Sequence, residues 1–160
     1  MDLKTSKRQT VNPMRVNEAP LLYVIGIDPG TKTGFAVYKK QTKQLEAVCT
    51  LKVHEAFEAV SNQLSRAKSE GGKIFVRVED ARKRKRYGAN SFAKMQGAGA
   101  IKIQCKQWEE FLTSLGVSFD LVAPNQIKTK MSSAYFKQVT GWGKRCSNHA
   151  RDAAALIYGL

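Results

Sequence analysis

The stretch YVIGIDPGTKTGFAVYKK, residues 23–40, decides how this chain is read. An apolar run ends in a single Asp, turns through Pro-Gly and becomes apolar again. That pattern predicts strands over 22–28 and 33–38, with Asp28 closing the first and the residues of DPGTKTG forming the turn. A third strand over 45–52 follows the polar KKQTKQ, and three strands joined by short turns make an antiparallel meander. A carboxylate at the end of the most apolar strand needs a reason, and the rest of the sequence supplies candidates.

Downstream, HEAFEAVSNQLSRAKSE carries Ala56, Phe57, Val60, Leu64 and Ala67 at helical spacing, and Gly71–Gly72 end the helix. The helix crosses over to a parallel strand, KIFVRVED, over 73–80, which again is apolar until it ends in acid. A long helix over 89–115, a strand over 117–123 and helical segments over 125–139 and 148–160 complete the pattern. Three strands followed by alternating helix and strand predict an α/β fold: a five-stranded mixed sheet, meander first and parallel strands after, flanked by helices. Residues 1–20 are polar, basic and aperiodic, which predicts a disordered tail ahead of one domain over 21–160.

The chain has 160 residues, 42% of them apolar, which suits a single folded core. Its formal net charge of +14 favours a polyanionic partner, nucleic acid or an anionic membrane, and composition does not choose between them. No apolar run approaches the roughly 18 residues needed to span a bilayer, and the N-terminus lacks the apolar segment of a secretory signal. The expectation is an intracellular, cytoplasmic protein without a membrane partner. Cys49, Cys105 and Cys146 are widely spaced and form no CxxC pair, so reduced, packed thiols are expected.

In open α/β sheets, ligands gather beyond the carboxyl ends of the parallel strands, where Asp28 and Glu79 both fall. In SNHARDAAALIYGL, His149 and Asp152 are three residues apart and so neighbours on one helical face, which Ala153, Leu156 and Ile157 can hold against the sheet. Converging carboxylates repel one another unless a cation neutralises them, and hard divalent cations prefer such oxygen ligands. Each fragment also has a plain reading: Asp before Pro-Gly as a turn residue, His149 as a helix cap, Asp152 as a partner for Arg151 or a nearby Lys.

The segments IGIDPGTKTGFAV, VRVED, MQGAGAIKI, VAPNQIKTK and NHARDAAAL, in order over residues 22–160, resemble the signature segments of RuvC-type Holliday junction resolvases. The likeness is nearest to the short, divergent members found in phages and related mobile elements. It implies an RNase H-like fold with the first and fourth strands adjacent. It further implies an enzyme of DNA recombination and repair, a Mg²⁺-dependent homodimeric endonuclease acting on branched DNA such as Holliday junctions, forks or flaps. Asp28 matches the first acid of the family, Glu79 the second, and His149 and Asp152 the last two positions. His149 departs from the members that have Asp there. On this reading two Mg²⁺ ions, for which Mn²⁺ can substitute, are bridged by Asp28 and bound singly by Glu79 and Asp152, with His149 positioning water or metal. Alternation along the strand turns Asp80 away from Glu79.

Lys128, in VAPNQIKTK, is a candidate contact to the scissile phosphate, with a solvated helix lysine as the plain reading. The block ARKRKRYGANSF, residues 81–92, follows Glu79 directly. Its Arg82, Lys83, Arg84, Lys85 and Arg86 are candidate phosphate contacts, and Tyr87 or Phe92 can stack on bases opened at a branch. The small-residue run GAGA, residues 97–100, would let its helix approach a partner or its own sheet. Two rivals fit parts of the sequence. A non-catalytic nucleic-acid-binding module explains the charge but not the strand-end acids. An actin-like or sugar-kinase-like ATPase explains DPGT but needs a second lobe that 160 residues cannot hold.

Overall fold

The computed structural model describes residues 18–83, 92–126 and 130–160, apart from the side chains at 92–96 and 98. The expected tail therefore lies, for residues 1–17, outside the described residues. Three strands, β1 (Leu21–Asp28), β2 (Thr33–Lys39) and β3 (Gln44–Leu51), form the antiparallel meander. Helix α1 (Val53–Ser69) carries the chain back to β4 (Lys73–Glu79), which lies parallel to β1. Helix α2 (Phe92–Ser114) leads to β5 (Ser118–Val122), parallel to β4. Helices α3 (Ser133–Thr140) and α4 (Asn148–Ala155) follow. The strand order is β3-β2-β1-β4-β5, so the first and fourth strands are neighbours. This is the mixed five-stranded arrangement of the RNase H-like fold.

Side-chain alternation sorts the sheet into two faces. One packs Tyr23, Ile25, Ile27, Phe35, Val37, Ile74, Val76 and Val78 against α1 and α2. Helix α1 contributes Ala56, Val60 and Ala67 from a single stripe, and Phe57 meets Trp108 and Phe111 of α2 at ring-centroid distances of 4.5 and 4.4 Å. The first turn of α1 is fixed by Glu55, whose carboxylate accepts from the Lys52 amide at 2.8 Å. On the opposite face Val24, Ala36, Tyr38 and Val122 pack against Phe136 of α3 and Ala150, Ala153 and Ile157 from α4 and the turn after it.

Two elements depart from expectation. The helical segment over 125–139 is a 3-10 turn, Pro124–Gln126, and then α3, which starts only at Ser133. Ser132 caps α3 by accepting from the Tyr135 amide at 3.2 Å, a local bond that sets the start better than apolar spacing does. The last helix ends at Ala155 instead of running to 160, because the chain closes into a turn in which Ile157 and Tyr158 both donate to the Ala154 carbonyl and Gly159 takes φ 85°.

Trp108 is fully buried, and among the described residues its Nε1 finds no acceptor. Trp108→Ala should destabilise by about 3–5 kcal/mol. Trp108→Phe should cost less than about 1.5 kcal/mol, because it keeps the ring while removing the unpaired N–H. Urea unfolding of the two variants checks this order.

Candidate active site

The site begins with two glycines. A Cβ at Gly34 of β2 would lie 2.0 Å from the carbonyl oxygen of His149, and a Cβ at Gly26 of β1 would lie 2.0 Å from that of Ala153. The backbone of α4 therefore rests directly on β1 and β2, with its own small residues Ala150, Ala153 and Ala154 buried beneath it. Its first turn is capped by Ser147, whose Oγ accepts from the Ala150 amide at 3.1 Å and lies 2.5 Å from Thr50 Oγ1 of β3. Arg151 secures the flanking chain by donating to the carbonyls of Met131 (3.0 Å) and Cys146 (2.9 Å) and to Asn148 Oδ1. Its guanidinium makes its hydrogen bonds to these acceptors, and its charge also lowers the nearby Asp152.

This seating brings the ends of β1 and α4 together. His149 Nδ1 donates to Asp28 Oδ2 at 2.9 Å across a sequence separation of 121 residues. The Asp28 side chain is 14% exposed and the His149 side chain 55%, so a sheltered acid is met by a ring open to solvent. The turn after Asp28 is closed by the fully buried Thr33, whose Oγ1 donates to the Gly30 carbonyl at 2.9 Å. Burial pushes the Asp28 carboxyl above its ordinary range, the His149 contact pulls it back, and the charge of Asp152 raises it again. Burial likewise raises Asp152, and Lys130 lowers both acids. Lys130, a lysine that sequence reading passes over, therefore sits within electrostatic range of both carboxylates. Its only signal in the sequence is its place two residues after Lys128 in the same basic segment.

Glu79 ends β4 beside β1, where Ile27 pairs with Val78. Alternation places Glu79 on the sheet face of Phe75 and Arg77, the face that α4 covers and on which Asp28 lies. Asp80 takes the other face. It is 2% exposed and accepts from Arg82 Nε at 2.8 Å and Nη2 at 2.9 Å. Burial would raise Asp80, but its bonds to the Arg82 side chain and amide prevail and hold it below the ordinary range. Arg82 also pairs with Glu109 of α2 at 2.8 Å, and Lys83 Nζ donates to the Leu121 carbonyl at 2.5 Å. The guanidinium expected to face phosphate is thus turned inward onto acids. Arg84, Lys85, Arg86, Tyr87 and Lys128 lie outside the described residues.

The structure thus brings Asp28, His149 and Asp152 together and sets Glu79 on the same face. The charge of Asp152 raises Asp28, and carboxylate oxygens are donors of the kind a hard divalent cation takes. Among the described residues, however, no three His, Cys, Asp or Glu side chains are gathered tightly enough to enclose an ion.

Among solved structures, the chain is similar to RuvC of Thermus thermophilus. The identity is 17%, over 84% of this chain and 90% of that one, with a TM-score of 0.44. No family model and no curated relative matches the sequence.

Two outcomes test the site as a structural unit. Gly34→Ala should drive α4 off β2 at a cost of about 1–3 kcal/mol, read by denaturant unfolding, and should break the Asp28–His149 contact, read from the His149 ring resonances. The second outcome concerns pH. A carboxyl raised above its unfolded value of 3.8 costs the native state stability at neutral pH, and that cost fades as pH falls through the folded value. Asp28→Asn should therefore unfold at higher denaturant than the unsubstituted protein at pH 7, with the difference closing on acidification.

Proposed function

We propose that the protein is a metal-dependent, structure-selective endodeoxyribonuclease that cleaves branched DNA, such as Holliday junctions, forks or flaps, by phosphodiester hydrolysis. The observation that carries this reading is the pairing of the strand-end acid Asp28 with His149 at 2.9 Å, beside Asp152. Glu79 at the end of the adjacent strand supplies a further carboxylate on that face. A turn residue needs no such company, and a binding module has no use for buried acids in a protein of net charge +14.

Asp28, Glu79 and Asp152 would hold the divalent ions, Mg²⁺ or Mn²⁺, which when bound supply an activated water and stabilise the departing 3′ oxygen. The chain's own residues do the rest. Asp28, sheltered and fixed by Gly34 and Thr33, presents its carboxylate at a constant place. His149 commits Nδ1 to Asp28 and, being half exposed, leaves Nε2 to hold a water or accept its proton. Lys130 places a positive charge near both acids, where a phosphate oxygen would be drawn in. Lys128 and the basic residues Lys83, Arg84, Lys85 and Arg86 extend that attraction along the backbone of the DNA. A C2 homodimer would present two such sites to the two symmetric strands of a junction.

Cleavage of a panel of branched and linear DNAs, with and without Mg²⁺, decides among nuclease, binding module and ATPase. The expected result is metal-dependent cutting of branched substrates. Asp28→Asn, Glu79→Gln and Asp152→Asn should each lose at least roughly 100-fold in cutting rate, the upper end of what loss of a mere supporting group costs, while binding in Ca²⁺ persists. A folded Asp28→Asn protein that still cuts at the unsubstituted rate overturns the assignment.

A further inference from the structure

The peptide joining Glu79 to Asp80 is tied at both of its polar atoms. Its carbonyl, that of Glu79, accepts from Cys105 Sγ of α2 at 3.7 Å, and its N–H, that of Asp80, donates to the Val122 carbonyl of β5 at 2.7 Å. The Asp80 side chain then turns into the opposite face of the sheet. There it receives Nε and Nη2 of Arg82 at 2.8 and 2.9 Å and the Arg82 amide at 3.0 Å. Arg82 Nη2 reaches on to Glu109 Oε2 of α2 at 2.8 Å. The chain is thereby folded back at once, with the Lys83 amide donating to the Asp80 carbonyl at 3.1 Å.

Stability alone does not account for this cluster. Val76 and Val78 occupy the same face of β4 and are fully buried, so an apolar residue at 80 would pack well. Asp80 is 2% exposed, but Arg82 is 30% and Glu109 41% exposed; a pair so placed is commonly no more stabilising than apolar residues of similar volume, and what it adds is a fixed orientation. The guanidinium fork spans two carboxylates on two elements, which the point charge of a lysine does not do. We propose that Asp80, Arg82 and Glu109 are positioning residues, a clip that fixes the last peptide of β4 against α2 and so sets the Glu79 carboxylate on the site face. The part that invokes Glu79 as a ligand rests on the nuclease reading; the clip itself does not.

The test uses the full-length protein, first without DNA. Mn²⁺ binding is followed by electron paramagnetic resonance, and exchange of the Asp80 amide by NMR, for Arg82→Ala, Arg82→Lys and Glu109→Gln. Arg82→Ala and Glu109→Gln should weaken Mn²⁺ binding roughly 10- to 100-fold, the usual cost of losing support behind a metal ligand, and speed Asp80 exchange. Arg82→Lys should fall between them and the unsubstituted protein. The salt dependence of junction binding in Ca²⁺ should not change in slope, because Arg82 displaces no counterion from phosphate. Unchanged Asp80 exchange in all three variants, or a slope lowered by about one in Arg82→Ala, overturns the clip. If Glu79→Gln binds Mn²⁺ as the unsubstituted protein does, the metal role of Glu79 fails, and the exchange result alone decides the clip.

Discussion

Everything at the candidate site depends on how closely α4 lies on the sheet. At Gly26 and Gly34 there is no room for a single carbon between strand and helix backbone. Side chains normally hold a helix well away from a sheet, with the carboxylates of the two layers too far apart to interact. Here the missing side chains let the first turn of α4 descend until His149 touches Asp28. The alanines of α4 are the matching half of this arrangement, and the capping bond of Ser147 together with the carbonyl bonds of Arg151 keeps that first turn from sliding.

The end of β4 is arranged differently. Two consecutive acids leave the strand on opposite faces, and their surroundings give them opposite characters. Asp80 is buried among the cationic atoms of Arg82 and held in its charged form, whereas Asp28 and Asp152 on the other side are pushed toward the neutral form by burial, Asp28 also by the charge of Asp152. The first pattern is that of a structural ion pair, and the second is the kind of perturbation that marks a candidate functional site. In a protein with 27 basic and 13 acidic side chains, Asp28 and Asp152 stay raised even though His149 and Lys130 lie near both.

Much of this was legible in the sequence, and the limits have physical causes. The strands, their order of direction and the opposite placement of Glu79 and Asp80 follow from period-two alternation and turn residues, which are local signals. The meeting of Asp28 with His149 and Asp152 was readable only as a convergence of strand-end and helix-face acids. The glycines that make it possible read as ordinary turn or strand residues, because close approach to a distant helix leaves no local mark. The inward placement of Arg82 was hidden for a similar reason. Within a run of like charges nothing distinguishes the one side chain that folds back onto Asp80 and Glu109, since Glu109 lies a helix away. The start of α3 depended on one serine hydroxyl and not on the apolar spacing around it.

The 121-residue separation between Asp28 and His149 has a consequence for the order in which the molecule assembles. The strands and the face covered by α1 and α2 can pack before α4 arrives, because none of their contacts requires it. Closing so long a loop costs more chain entropy than the short turns of the meander do. A chain caught with its sheet formed and α4 undocked holds Asp28 without His149 or Asp152. Such a chain has the strand-end acid but not the contact on which the candidate site is built. Docking of one short, alanine-rich helix is thus the event that completes the candidate site.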